Sequence, residues 1–249
     1  MLANVFWAID PKTLFALQQF CTMSDRAYAG QVSGARDQAQ RRACYGLLRF
    51  GLTQCAPASA QCDIIRHETG RPCIKDQSGL STSISHADFG VAVMIGRDCA
   101  VGVDIEQDQP MSVWEEITQV IPLAHAGDPL AALRHWTASE ACAKSQGQGL
   151  PAVASASVPY RPDGDARPQR IIWDQNAPRD ISTVRIPGGM LAYAVSAGAP
   201  VTISELREST IACSKPAISA VIAPENATAH SRPEMPQNNG NKMISGSMT

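Results

Sequence analysis

The stretch that most narrows the possible folds is Val101-Gly102-Val103-Asp104-Ile105-Glu106. Its apolar residues predict a strand, and because side chains alternate across a strand, Asp104 and Glu106 project the same way. Two carboxylates on one patch repel each other unless a cation lies between them. A hard divalent ion with oxygen ligands, Mg2+ above all, is the guest that this chemistry favours.

A second stretch, Trp136-Thr137-Ala138-Ser139-Glu140-Ala141-Cys142-Ala143-Lys144, reads as helix. Residues four apart share a helix face, so Trp136, Glu140 and Lys144 form one stripe of an aromatic, an acid and an ammonium. Brought together, the two stretches supply three carboxylates and a lysine, a set suited to Mg2+-assisted transfer of a phosphate-bearing group. The helix has a good start at Asp128-Pro129, since aspartate caps well and proline is tolerated at the first helical position. That start bears on Glu140. Thr137-x-x-Glu140 also fits a capping box, but in a helix that begins at Pro129 these positions are interior and need no cap. Glu140 and Lys144 also fit an ordinary ion pair on an exposed face. Gly147 and Gly149 are expected to end the helix.

In this order, Gly102-Val103-Asp104-Ile105-Glu106 and then Trp136-Thr137-x-x-Glu140-Ala141-x-x-Lys144-x-x-Gly147-x-Gly149-Leu150 resemble the paired signature of the 4′-phosphopantetheinyl transferases. The likeness is to the single-chain, surfactin-synthetase-activating or enterobactin type. Two further elements are similar to the family's. Gly70-Arg71-Pro72 looks like Gly-Lys-Pro with arginine for lysine, and Ser83-Ile84-Ser85-His86 looks like Asn-x-Ser-His with Ser83 where asparagine is usual.

The resemblance implies an α+β fold, a pseudo-two-fold pair of similar α/β halves, each a helix on a small, mainly antiparallel sheet. It also implies a reaction, transfer of 4′-phosphopantetheine from coenzyme A to a serine of an apo acyl or peptidyl carrier protein with release of 3′,5′-ADP. Asp104, Glu106 and Glu140 would hold Mg2+. Glu140, or a water it orients, is the candidate base, and Lys144 would hold phosphate oxygens as charge shifts onto them. Arg71, Ser85 and His86 would position the coenzyme, with Arg42 as a further phosphate contact. Arginine at 71 keeps the charge and can grip a phosphate bidentately.

Each of these elements has a plainer reading. Residues 69–72 make a turn on their glycine and proline alone. Residues 38–52 form an amphipathic helix whose Arg41, Arg42 and Arg49 suit a solvated face as well as a phosphate. A Ser-His pair at a strand end is common. Two departures from the family pattern stand out: Ser139 where lysine usually precedes the helical glutamate, and a shorter connection between Asp104 and Trp136.

The remaining chain falls into three parts. Residues 1–110 form a first half, with a strand at 3–9, a helix at 11–20, the helix at 38–52, and strands at 81–86, 91–95 and 100–105, the last two read as a hairpin. Residues 111–212 form a second, with a short helix at 113–121 carrying Glu115 and Glu116, which could add a metal ligand or stay solvated, and strands at 171–173, 183–186 and 190–195. Residues 213–249, rich in Ala, Ser, Pro and Asn without periodicity, read as a flexible tail.

At 249 residues, 44% apolar, 18% charged and net −2, the composition is that of a soluble globular protein, with no basic surplus to hold nucleic acid. Asp10, Pro11 and Lys12 interrupt the opening apolar run, which argues against a signal peptide or membrane span. Eight cysteines without C-x-x-C spacing read as scattered reduced thiols. The expectation is a cytoplasmic monomer. Two rival functions keep some of the same residues: a coenzyme A- or carrier-binding homologue with impaired turnover, and a Mg2+-dependent phosphohydrolase. The second leaves Gly70-Arg71-Pro72 and Ser85-His86 unexplained.

Overall fold

The chain is mixed α+β. A computed structural model describes residues 1–120, 127–148, 169–171 and 178–213. Strand β1 (Leu2–Ala8) is followed by helix α1 (Pro11–Leu17), capped by Asp10 whose carboxylate accepts from the Thr13 N–H, and then a 3-10 turn at Gln18–Phe20. Helix α2 (Met23–Ala29) begins with a full capping box between Thr22 and Asp25. The long helix α3 (Ala35–Cys55) follows, wider at both ends than periodicity alone suggests. Next come two short paired strands, β2 (Ile64–Arg66) and β3 (Pro72–Ile74), and then β4 (Leu80–Ala87), β5 (Gly90–Arg97) and β6 (Val101–Gln107).

Helices α4 (Met111–Val120) and α5 (Pro129–Ser145) lead to β7 (Gln169–Ile171), β8 (Arg179–Ile186), β9 (Gly189–Ser196), β10 (Val201–Glu205) and a last helix at Glu208–Cys213. The Asp128 carboxylate accepts from the backbone N–H groups of Leu130 and Ala131, so α5 does start at Pro129. Glu140 is interior, not part of a cap. At the other end Gly147, at φ +70°, lets the chain turn back so that the Gln148 N–H bonds the Ala143 carbonyl.

Two four-stranded sheets carry the fold, in the orders β10-β1-β5-β4 and β6-β9-β8-β7. The first is antiparallel except where β10 runs parallel to β1. The second is antiparallel throughout. This arrangement corrects the expected hairpin. β5 does not pair with β6, because β1 and β4 already occupy both of its edges, and β6 crosses instead to β9. The crossover turns at Asp98, with φ +55°. The true hairpin is β4–β5, closed at Asp88-Phe89. Helix α2 and strand β10 lay outside the sequence expectations altogether.

Alternation explains the layers. Val91, Val93 and Ile95 of β5 join Leu47, Leu48 and Phe50 of α3 in one core, while Ala92 and Met94 face the other way and join Val5, Val101, Val103, Ile105 and Leu191 between the sheets. Each of the large apolar side chains among these contributes about 1.5–3 kcal/mol on full burial. A third group, Ala138, Ala141 and Cys142 with Ile181, Ala192 and Ala194, seats α5 on the outer face of the second sheet. Small side chains on both surfaces let the helix approach closely.

All described residues belong to one compact unit. The tail expected beyond Cys213, and residues 172–173 of the expected strand at 171–173, lie outside the described residues, as does Gly149. Among the described residues no helix is long and apolar enough to cross a membrane. All eight cysteines are free thiols. Burial pushes Cys21, Cys44 and Cys142 up to about 12, so these three are inert.

Candidate functional site

β6 is held from two sides, and the site lies where the two grips meet. On one side is α5. A Cβ built on Gly102 would lie 1.9 Å from the Ala141 carbonyl oxygen and 2.5 Å from the Ser145 nitrogen, so only glycine lets the helix backbone rest on the strand here. This close approach puts Glu140 and Lys144, which flank Ala141 on the helix, against Asp104, two residues along the strand. On the other side is β4, whose Ser83 and Ser85 hydroxyls both reach β6. The Ser83 Oγ accepts from the Val103 N–H at 3.1 Å, and the Ser85 Oγ donates to Asp104 Oδ1 at 2.7 Å.

Asp104 is buried, and its two oxygens are treated unequally. Oδ1 takes the Ser85 hydroxyl and also the Lys144 ammonium at 2.6 Å, while the same ammonium lies 3.1 Å from Ser85 Oγ. Oδ2 is buried and has no hydrogen-bond partner among the described residues. A buried acceptor left open in this way costs about 1–3 kcal/mol. It is the atom an incoming cation would satisfy.

The neighbouring acids feel one another. Burial and then the Asp104 charge hold the Glu106 carboxyl above its usual range, against the opposing pull of the Gln107 N–H, the Trp136 indole and Lys144. Glu140 is likewise raised, by burial and by Asp104, with Lys144 opposing. Burial disfavours the Lys144 ammonium, but the charge and hydrogen bond of Asp104, and then Glu140 and Glu106, outweigh it and hold Lys144 above its ordinary value. Trp136 packs against the Trp114, Leu133 and Met190 cluster. The three carboxylates and Lys144 act as one electrostatic cluster with a single cation in it.

Asp104, Glu106 and Glu140 are oxygen donors of the type that Mg2+ prefers, and the open Asp104 Oδ2 fits a cation on chemical grounds. As the side chains stand, no group of three or more His, Cys, Asp or Glu among the described residues is already closed to hold an ion. Lys144 occupies Asp104 Oδ1 in that arrangement. Glu115 and Glu116 are exposed on α4.

Beside the cluster lies a cavity of about 220 Å³, lined by Glu140 and Lys144 and by Arg66, Thr69, Gly70, Arg71, Pro72, Ser83, Ile84, Gly147 and Gln148. Arg71 donates through Nε to the Thr82 carbonyl at 3.0 Å, while its Nη2 is buried without a partner among the described residues. Burial lowers the Arg71 guanidinium below its usual value, and Arg179 nearby adds to this. An anion would relieve both. Arg66, which sequence reading missed, joins Lys144 and Arg71 as a third cation of the wall. It donates through Nε to the Tyr45 hydroxyl at 2.9 Å and through Nη1 to the Gly70 carbonyl, and it lies over both the Tyr28 and Tyr45 rings, 5.2 and 5.5 Å from their centroids. The only signal for it was its place four residues before Gly70. Among the described residues of the lining Glu140 is the one carboxylate, a helical turn from Lys144 on α5.

The other expected contacts divide. His86 is exposed as a residue, yet dehydration of its ring, followed by the charges of Lys144 and Arg41, holds the imidazole below its usual range. It belongs to the same electrostatic neighbourhood. Arg42 does not face it: its Nε bonds the Gln18 side chain at 3.0 Å. Of the two neighbouring arginines, it is Arg41 whose charge reaches His86, and Arg41 stacks on Tyr28 at 5.3 Å. Ser139 is buried, and its hydroxyl donates to the His135 carbonyl at 2.8 Å.

Comparison with protein-family models and with curated proteins finds no match to this chain.

Proposed function

We propose that the protein is a Mg2+-dependent 4′-phosphopantetheinyl transferase that moves the phosphopantetheine group of coenzyme A onto a serine of an acyl or peptidyl carrier protein. The observation that carries this reading is the junction of two unlike surfaces: Asp104, Glu106 and Glu140 next to a cavity lined by Lys144, Arg66 and Arg71. Acids that need a cation and cations that need an anion, side by side, suit a metal-bound diphosphate better than either ligand alone. The two sheets, each covered by one long helix, α3 and α5, are compatible with the two-half build of this family.

When bound, Mg2+ would neutralise the diphosphate and stabilise the 3′,5′-ADP leaving group, held by Asp104, Glu106 and Glu140. The residues of the chain do the rest. Arg71, with its unsatisfied Nη2, and Arg66, fixed by two tyrosines, hold phosphate oxygens at the cavity wall. His86 and Ser85 orient the coenzyme. Lys144, kept charged by its neighbours, takes up negative charge as the serine oxygen bonds to phosphorus and the bond to 3′,5′-ADP breaks. Glu140, its carboxyl raised by burial, accepts the proton of the attacking serine, directly or through a water it orients. Ser139 is buried and supplies no charge where the family pattern has a lysine.

The test is incubation with coenzyme A, Mg2+ and a panel of apo carrier proteins, read by mass spectrometry. The expected result is a gain of one phosphopantetheine on the carrier, absent with Asp104→Ala or Glu140→Ala. Release of phosphate without any acceptor would favour a phosphohydrolase. Coenzyme A binding with no transfer to any carrier would favour an impaired binding homologue.

A further inference from the structure

Ser83 lines the cavity but has no part assigned to it in the proposed reaction, and its hydroxyl bonds the backbone of β6. β4 is an edge strand of the first sheet and β6 an edge strand of the second, and no backbone ladder joins them. An edge strand leaves every second N–H and carbonyl without a ladder partner, and a buried one must find a substitute. The Val103 N–H finds the Ser83 hydroxyl oxygen, 3.1 Å away, with Ser83 itself only 3% exposed. Two residues on, Ser85 holds the carboxylate of Asp104. The two serines project from the same side of β4, so they grip consecutive residues of β6, one by backbone and one by side chain. From the opposite side Gly102 is pressed against α5. The peptide between Val103 and Asp104 is therefore fixed at three neighbouring points.

We infer that Ser83 is a positioning residue: by holding the Val103 N–H it sets the backbone from which Asp104 projects, and with it the direction of the open Oδ2 toward an incoming divalent cation. This inference rests on the cation site proposed above and adds to it a residue whose hydroxyl is engaged with the backbone of β6. A carbon side chain at 83 would leave the Val103 N–H buried without a partner. The strand would then shift to hydrate it, and Asp104 would move with it.

Valine and threonine have nearly the same shape and differ by the hydroxyl, so Ser83→Thr and Ser83→Val isolate the hydrogen bond from any crowding that either causes. The measurement is titration of the full-length protein with Mn2+, without coenzyme A, following free Mn2+ by electron paramagnetic resonance. Amide exchange at Val103 and at its ladder partner Tyr193 is read in parallel. Ser83→Thr is expected to bind Mn2+ like the wild type. Ser83→Val is expected to bind roughly 3- to 10-fold more weakly, the reach of one lost hydrogen bond, with faster exchange at Val103 alone. Equal Mn2+ affinity in the two variants overturns the inference and leaves the cation site standing. Failure of Ser83→Val to fold where Ser83→Thr folds also overturns it, since the hydroxyl would then determine the fold as a whole. Absence of Mn2+ binding in the wild type removes the proposed site and the inference together.

Discussion

Two aspartates of this protein face cations across helix and strand boundaries, and they are finished to different degrees. Asp25 takes Arg49 through both oxygens, each at 2.9 Å, and also serves the cap of α2. Arg49 spends its remaining donors on the Ala60 and Cys62 carbonyls, and both side chains are within 3% of complete burial. Asp104 takes Lys144 and Ser85 through one oxygen only, its second oxygen is open, and two more acids share the same ammonium, whose side chain is 29% exposed. The first pair is closed and can do nothing but hold. The second is short of positive charge and lies beside a cavity. A buried ion pair is thus uninformative about function until its unsatisfied atoms are counted.

The sharpest way to break this contrast is to remove each cation in turn. Arg49→Met leaves a buried, uncompensated Asp25 and is expected to cost about 3–5 kcal/mol in urea unfolding, with no recovery on adding salt or Mg2+. Lys144→Met is expected to cost less, about 1–2 kcal/mol, because its head group is partly solvated, and millimolar Mg2+ should recover most of it by binding the folded state. Equal losses with no Mg2+ effect at either site would erase the distinction.

An effect smaller than that at Arg49 is expected from Gly102→Ala. The added methyl meets the backbone of α5, which has to back away, at about 1–3 kcal/mol. Divalent affinity should fall with it, because Glu140 and Lys144 ride on that helix. Calorimetry with and without Mn2+ measures both.

The smallest effect separates the acids by pH. Glu106 and Glu140 have folded pKa values above their unfolded ones, so their contribution to stability is fully present below the ordinary glutamate range, near 4.3, and is lost as pH rises through their raised values. Replacing both with glutamine fixes the neutral form. The double variant should therefore be more stable than wild type at neutral pH without Mg2+, and the two should converge as pH falls into the carboxylate range. Lys144 is raised as well, so its contribution persists through neutrality and disappears only above the ordinary lysine range. A difference that grows on acidification would contradict this assignment.

Local chemistry made part of this site legible in the sequence. Alternation put Asp104 and Glu106 on one side of β6, helical spacing put Glu140 and Lys144 on one face of α5, and Asp128-Pro129 fixed where that helix begins. What remained hidden depends on contacts between distant segments. Residues 91–105 look like a hairpin from within, and only the occupation of both β5 edges by β1 and β4 sends β6 to another sheet. Arg41 and Arg42 point to different sides of α3, but only the partners brought by other elements, Tyr28 for one and Gln18 for the other, show which side faces the site. Arg66 gave little signal beyond its nearness to Gly70, because two tyrosines from α2 and α3 orient it. Gly102 looked like part of a motif, whereas its physical role is to admit the backbone of α5.

In the proposed function Asp104, Glu106 and Glu140 converge on one divalent cation beside the Arg66 and Arg71 cavity. The most direct measurement is an anomalous difference map from crystals soaked in Mn2+. A single strong peak at bonding distance from all three carboxylates, about 2.1 Å for an ion that can stand in for Mg2+, with Lys144 moved off Asp104 Oδ1, is the result expected. A map with no peak there, and Lys144 still bound to Asp104, would contradict it.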